Sequence, residues 1–194
     1  MARLIAGMGT SHVPGVGAAI DNGKTDEPYW RELFEGFAPL RAWHADNVPD
    51  VNIVVFNDHA TSMSLNHYST FMMGVAEHFR PADEGWGPRK VPVVEGHPEL
   101  AWHIVESLIL DEFDMAVTAE FDVDHGLTVP LSIAYDQPEA WPTKVIPLCV
   151  NVIQHPQPTP LRCYKLGQAI RPAVGSFPED LTVGVWGTRW PFAS

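Results

Sequence analysis

A chain of 194 residues with 24 acidic against 12 basic side chains, a net charge of −12, is a poor partner for nucleic acid, whose affinity for proteins rests on basic groups releasing counterions. At 45% hydrophobic and 19% charged residues the composition is that of a globular domain with a real core, which excludes a disordered or low-complexity chain. Neither Met1 to Gly9 nor any later run has the length of a signal peptide or a membrane span, so a cytoplasmic protein with no membrane partner is expected.

The first apolar stretch, Leu4-Ile5-Ala6-Gly7-Met8-Gly9, breaks into Thr10-Ser11-His12-Val13-Pro14 and reads as a strand with a histidine past its end. Pro14-Gly15-Val16-Gly17 reads as a glycine-rich turn, and Thr25-Asp26-Glu27-Pro28 has the cap candidates and early proline of a helix start. Trp30, Leu33, Phe34 and Phe37 recur at helical spacing as a core-packing stripe, with Pro39 marking an end or a kink before Leu40 and Trp43. Val51 to Phe56 is apolar enough for one buried strand and stops in Asn57-Asp58-His59. Tyr68, Phe71, Met72, Val75 and Phe79 form a second helical stripe, and Arg80 to Arg89 reads as a long structured loop of the kind that is functional or mobile.

A third helix opens near His97-Pro98-Glu99, with Ala101, Ile104, Val105 and Leu108 on one face, and ends around Asp111-Glu112-Phe113. The run Met115 to Phe121 stops in Asp122-Val123-Asp124-His125-Gly126. Lys144 to Val152 is the next strand, His155 to Pro160 a loop, Leu161 to Val174 a helix, and Leu181 to Trp186 a fifth strand. Strands alternating with helices predict an α/β fold, a mostly parallel sheet with helices packed on it, in one domain over 1–194. Cys149 and Cys163 lack Cys-x-x-Cys spacing and are expected to be reduced.

In open α/β sheets ligands bind outside the carboxyl ends of the strands. If the strands that precede His12 and His59 are parallel neighbours, the two imidazoles emerge side by side as half a metal site. His125 follows a third apolar run, whereas His44, His67, His78, His97, His103 and His155 fall in helical stretches or loops and read as ordinary surface or hydrogen-bonded histidines. Three histidines suit zinc with a water, and two histidines with a carboxylate suit iron(II). Asp58, Asp122 and Asp124 are the carboxylates nearby, and Asp58 either orients His59 or a neighbour or caps its strand end. There is no Gly-x-Ser-x-Gly and neither cysteine has a base beside it, so nucleophilic catalysis is not supported.

Thr10-Ser11-His12-Val13-Pro14, Asn57-Asp58-His59, Pro81 to Pro88, Ser107 to Met115 and Asp122-Val123-Asp124-His125-Gly126 together resemble the class III extradiol ring-cleavage dioxygenases, in the form of the catalytic β subunit of protocatechuate 4,5-dioxygenase. The likeness runs to Thr188, and gallate dioxygenase shares several of its motifs. The resemblance implies Fe(2+) held by His12 and His59 with a glutamate, and His125 as the catalytic group that hydrogen-bonds substrate or oxygen. It further implies Asn57 in the substrate pocket, a catechol acid and O2 as reactants, a muconic semialdehyde as product, a small α subunit, and a homo-oligomer of αβ pairs. A zinc hydrolase using the three histidines and a non-catalytic assembly partner are the alternatives.

The chain departs from the family after the fifth strand, where Gly-Thr-Gly-Gly-(Met or Leu)-Ser-His is expected and Gly187-Thr188-Arg189-Trp190-Pro191-Phe192-Ala193-Ser194 stands instead. The family's catalytic base and glutamate ligand would follow there, so the chain is expected to be the N-terminal part of a β subunit lacking the C-terminal third, with weak iron binding and no turnover. One extra base ahead of a Gly-Gly-Leu-Ser-His coding stretch reads out as residues 189 to 194, which makes a single-base frameshift the expected origin of the tail.

Overall fold

The computed structural model describes residues 1–189; of residues 189 to 194, to which the frameshift reading applies, 190–194 lie outside them. In chain order the elements are β1 (Arg3–Ser11), α1 (Pro14–Asp21), α2 (Pro28–Asp46), β2 (Val51–Phe56), β3 (Phe71–Gly74), β4 (His78–Phe79), β5 (Val94–Glu95), α3 (Pro98–Leu110), β6 (Met115–Thr118), α4 (His125–Tyr135), β7 (Lys144–Val150), α5 (Pro160–Ser176) and β8 (Thr182–Arg189).

Six strands form one sheet in the order β1-β8-β2-β7-β3-β6, and β4 and β5 form a small antiparallel pair. Every neighbour in the large sheet is parallel except β3 against β7. The expected α/β architecture is therefore present. Central strands in such a sheet are buried on both faces and read as continuous apolar runs. In β2, Val51 and Ile53 point into a core shared with α3 and α5, through Leu100, Ile104, Leu166 and Ile170. Val54 and Phe56 point the other way, onto Leu127 and Leu131 of α4. Outside α4 lies a further layer, where Val16 and Ile20 of α1 and Phe34 and Phe37 of α2 pack on Val129 and Ile133.

Several expectations are corrected. The strands ending at His12 and His59 are not neighbours, because β8 is inserted between them and pairs with both. The stripe Tyr68 to Phe79 is not a helix: β3 takes its middle, with Phe71 and Met73 facing one core and Met72 the other. An apolar run buried on both sides carries no usable period, and strand pairing to β6 and β7 decides its form. Pro14 to Gly17 is not a turn but the start of α1, with proline in the first turn, where its missing N–H costs nothing. Gly17 is a packing residue, since a Cβ there would sit 2.6 Å from Val129 Cγ2. Helix α2 continues through Pro39, held by the aromatic layer on either side of it.

Candidate metal centre

Three histidine rings meet at the carboxyl edge of the sheet. His12 lies just past β1, His59 three residues past β2, and His125 in the first turn of α4. The ring centroids are 5.1 Å apart for His12 and His59, 5.8 Å for His12 and His125, and 4.0 Å for His59 and His125. His12 and His125 are buried and His59 is partly so. Only two of the three come from strand ends, because β6 stops at Thr118 on the far edge of the sheet and the helix start carries His125 to the site.

Each Nδ1 is held by a different element. Nδ1 of His12 lies 3.0 Å from Thr188 Oγ1 on the intervening strand β8. The Thr188 hydroxyl has one proton and two carbonyl acceptors, Gly126 O at 3.1 Å and Val55 O at 3.3 Å, so toward His12 its oxygen accepts and Nδ1 donates. Asp124 Oδ2 accepts from both Nδ1 and the backbone N–H of His59, each at 2.8 Å, while its Oδ1 caps α4 through Gly126 N–H at 2.8 Å. Both Glu84 oxygens serve His125, one accepting from its backbone N–H at 2.9 Å and the other from Nδ1. A Cβ on Gly126 would come within 2.8 Å of Asn57 O and Asp124 Oδ1, so this junction of β2 and α4 closes only with glycine.

With every Nδ1 committed as a donor, Nε2 is the free lone pair on each ring. Nε2 of His12 and of His125 is buried without a partner among the described residues, and that of His59 meets Asn57 Nδ2 at 3.2 Å. Buried polar atoms without partners are rare, and imidazoles braced at one nitrogen and open at the other are what a metal or a polar ligand requires. Burial, with help from the other two rings, lowers the His12 pKa to about 4, so this ring stays neutral and able to ligate. At His59 burial also opposes charging, but the hydrogen bond and charge of Asp124, with the charges of Glu84 and Asp58, raise the pKa overall.

His59, Asp124 and His125 offer donor atoms within 4.8 Å of one another. We nevertheless assign Asp124 as a brace, because both of its oxygens already accept hydrogen bonds from His59 and Gly126. Asp58 does not orient His59: it is fully buried and accepts from the N–H groups of Thr61, Ser62 and Met63, which is the strand-end cap. Asp122 contributes its backbone carbonyl to Ser62. Asn57 is buried beside His59, its Nδ2 3.2 Å from Nε2. Glu84 and Thr188 are not among the site residues expected from the sequence, although Glu84 lies in the Pro81 to Pro88 motif and Thr188 in the Gly187-Thr188 pair that ends the resemblance.

The model of the catalytic LigB subunit of aromatic ring-opening dioxygenase matches residues 6–188. A gallate dioxygenase of Pseudomonas putida is 50% identical over 107 residues, covering 55% of this chain and 32% of the relative. A 2,3-dihydroxyphenylpropionate/2,3-dihydroxicinnamic acid 1,2-dioxygenase of Photorhabdus laumondii is 28% identical over 162 residues, 83% of this chain and 48% of its own. A protein of the same name from Mycolicibacterium vanbaalenii is 31% identical over 135 residues, 69% and 40%. The chain thus spans a third to a half of the length of these relatives. A match over residues 6–188 takes in nearly the whole of the sheet and the helices on it: the chain belongs to the LigB family, the catalytic subunits of aromatic ring-opening dioxygenases.

Proposed function

We propose that this chain carries the histidine half of an iron(II)-dependent extradiol dioxygenase site that opens a ring bearing adjacent hydroxyls and a carboxylate. The observation that carries it is the trio of imidazoles with each Nδ1 braced, Nε2 of His12 and His125 being buried without a partner among the described residues. His12 and His59 would hold iron(II), which when bound supplies Lewis acidity to the diol and a common centre for diol and O2. His125, kept as the Nδ1–H tautomer by Glu84, presents a lone pair that accepts a hydrogen bond or a proton from a substrate hydroxyl. Asn57, whose Nδ2 lies 3.2 Å from His59 Nε2, would give up that contact to the metal and line the substrate pocket.

The family match favours oxygen chemistry over a three-histidine zinc hydrolase. Protocatechuate is the substrate suggested by the motifs, and the higher identity to a gallate dioxygenase makes gallate the first competitor to assay. A small α subunit, an oligomer of αβ pairs and a cytoplasmic location belong to the same proposal; size measurement after co-expression tests the assembly, with a lone monomer as the adverse result. Among the described residues no helix is long and apolar enough to cross a membrane.

The carboxylates beside the site are already committed, Asp58 to backbone, Asp124 to His59 and Glu84 to His125. The anionic ligand of a two-histidine-one-carboxylate set is therefore proposed to come from outside the described residues. The 194-residue chain alone is expected to bind iron(II) weakly and to consume no oxygen with protocatechuate or gallate. Anaerobic iron(II) titration and oxygen uptake test this, and robust turnover by the chain alone would mean that Asp124 leaves His59 to become the ligand.

A further inference from the structure

The loop from Arg80 to Arg89 is tied at three points to the segment that ends in α4. At its start, Val123 N–H donates to Arg80 O at 2.8 Å and Ala82 N–H to Val123 O at 2.9 Å. In its middle, Glu84 holds both the backbone and the ring of His125. At its end the Arg89 guanidinium, whose side chain is 9% exposed, reaches across to two helices. Its Nε and Nη2 make a bidentate pair with Asp21 of α1 at 2.8 and 2.6 Å, and Nη1 and Nη2 meet the hydroxyls of Thr128 and Ser132 on α4 at 3.2 Å each. Thr128 and Ser132 are one helical turn apart, on the helix that begins with His125. Between the outer ties, Asp83 Oδ1 accepts from Gly85 and Gly87 N–H at 2.9 and 2.8 Å and shapes the turn beside Glu84.

We propose that Arg89 is a positioning residue: by fastening the Glu84 loop to α1 and α4, it keeps the Glu84 carboxylate on His125 and so fixes the tautomer and the orientation of that ring. A planar fork with several donors can hold an acid and two hydroxyls at once, and a lysine cannot reproduce that geometry. The pair would be worth little as an isolated surface salt bridge. Its value lies in what it fixes, because one wall of the approximately 420 Å³ pocket that includes Glu84 and His125 is this loop. An unbraced imidazole exchanges its proton between both nitrogens, and the lone pair on Nε2 is then present only part of the time.

The inference rests on the reading of His125 as the group that meets substrate, and the test separates the two. In the metal-free chain, nitrogen-15 NMR of the imidazoles is expected to show His125 as a single Nδ1–H tautomer with a slowly exchanging ring proton. In Arg89→Met that proton is lost to exchange and His125 becomes a tautomer mixture, with His12 and His59 unchanged; Arg89→Lys restores the wild-type pattern only in part, and Glu84→Ala reproduces the Arg89→Met pattern. Should Arg89→Met fail to fold, Asp21→Asn, which weakens the same clamp at an exposed partner, is read in its place. A His125 signal that stays wild-type in the folded Arg89→Met or Asp21→Asn variant overturns the clamp. The reading of His125 itself fails separately, if protocatechuate and gallate added to the chain with zinc as a diamagnetic stand-in for iron(II) leave its His125 resonances unmoved.

Discussion

β1 and β2 each deliver a histidine to the same centre, yet they are opposite kinds of strand. β2 lies inside the sheet between β8 and β7, and Val51, Ile53 and Val54 are wholly buried. β1 is an edge strand, paired on one side only, with Leu4 and Ile5 36% and 41% exposed. An imidazole on an edge strand has no neighbour on one side to hold it, and His12 is held from the other side by Thr188 of β8. His59, just past the central strand β2, is held by a carboxylate from the helix layer. The difference teaches that position in the sheet sets which element must supply the brace.

The largest expected effect contrasts the strands themselves. Ile53→Ala should cost about 2–5 kcal/mol in urea denaturation, as for deletion of buried methylenes, while Ile5→Ala should stay within about 0.5 kcal/mol. Equal costs would mean that β1 is covered in solution. The second contrasts the braces: Asp124→Ala removes both the His59 brace and the α4 cap, and should lower metal affinity by about 10–100-fold with a stability loss of about 0.5–2 kcal/mol. Zinc or iron(II) titration by calorimetry checks the first part and thermal melting the second.

Thr188→Val removes the acceptor for His12 without touching a cap, so affinity should fall by about 10-fold while the melting temperature moves less than in Asp124→Ala. A loss of stability larger than that of Asp124→Ala would make Thr188 a fold residue and not a brace. The smallest net effect is on pH. In the metal-free chain the folded His12 resists protonation down to about 4 against 6.5 for the unfolded group, so the unfolded state binds more protons and stability falls as pH drops through that window. His59 is shifted the other way, so its contribution is complete below 6.5 and lost as pH rises through its folded value. The two act in adjoining windows, so His12→Gln should flatten the acid side of the urea midpoint against pH, whereas His59→Gln should remove the fall above 6.5 and leave the acid side unchanged.

Much of this was legible in the chain. The apolar runs before His12 and His59 are strands, the stripe from Ala101 to Leu108 is one face of α3, and Leu161 to Val174 lies inside α5. Phe71 to Gly74 was not legible, because a strand buried on both faces shows no period to tell it from a helix. Helix α4 was not expected at all. Its cap Asp124 and its first residue His125 stood out as polar residues ending an apolar run, and Pro130 inside it disguised the helical pattern that follows.

The sequence by itself determined that His12, His59 and His125 stand at element ends, since imidazoles and small polar residues that break an apolar run do so whatever the final topology. Only the tertiary structure decided how those side chains are arranged. Strand order placed β8 between β1 and β2 and so brought Thr188 under His12. Helix packing placed Asp124 on His59 and the loop carboxylate Glu84 on His125, across separations of 65 and 41 residues. Hydrogen bonds of that range are set by the burial of two cores on either face of one sheet, and no local pattern of residues encodes them.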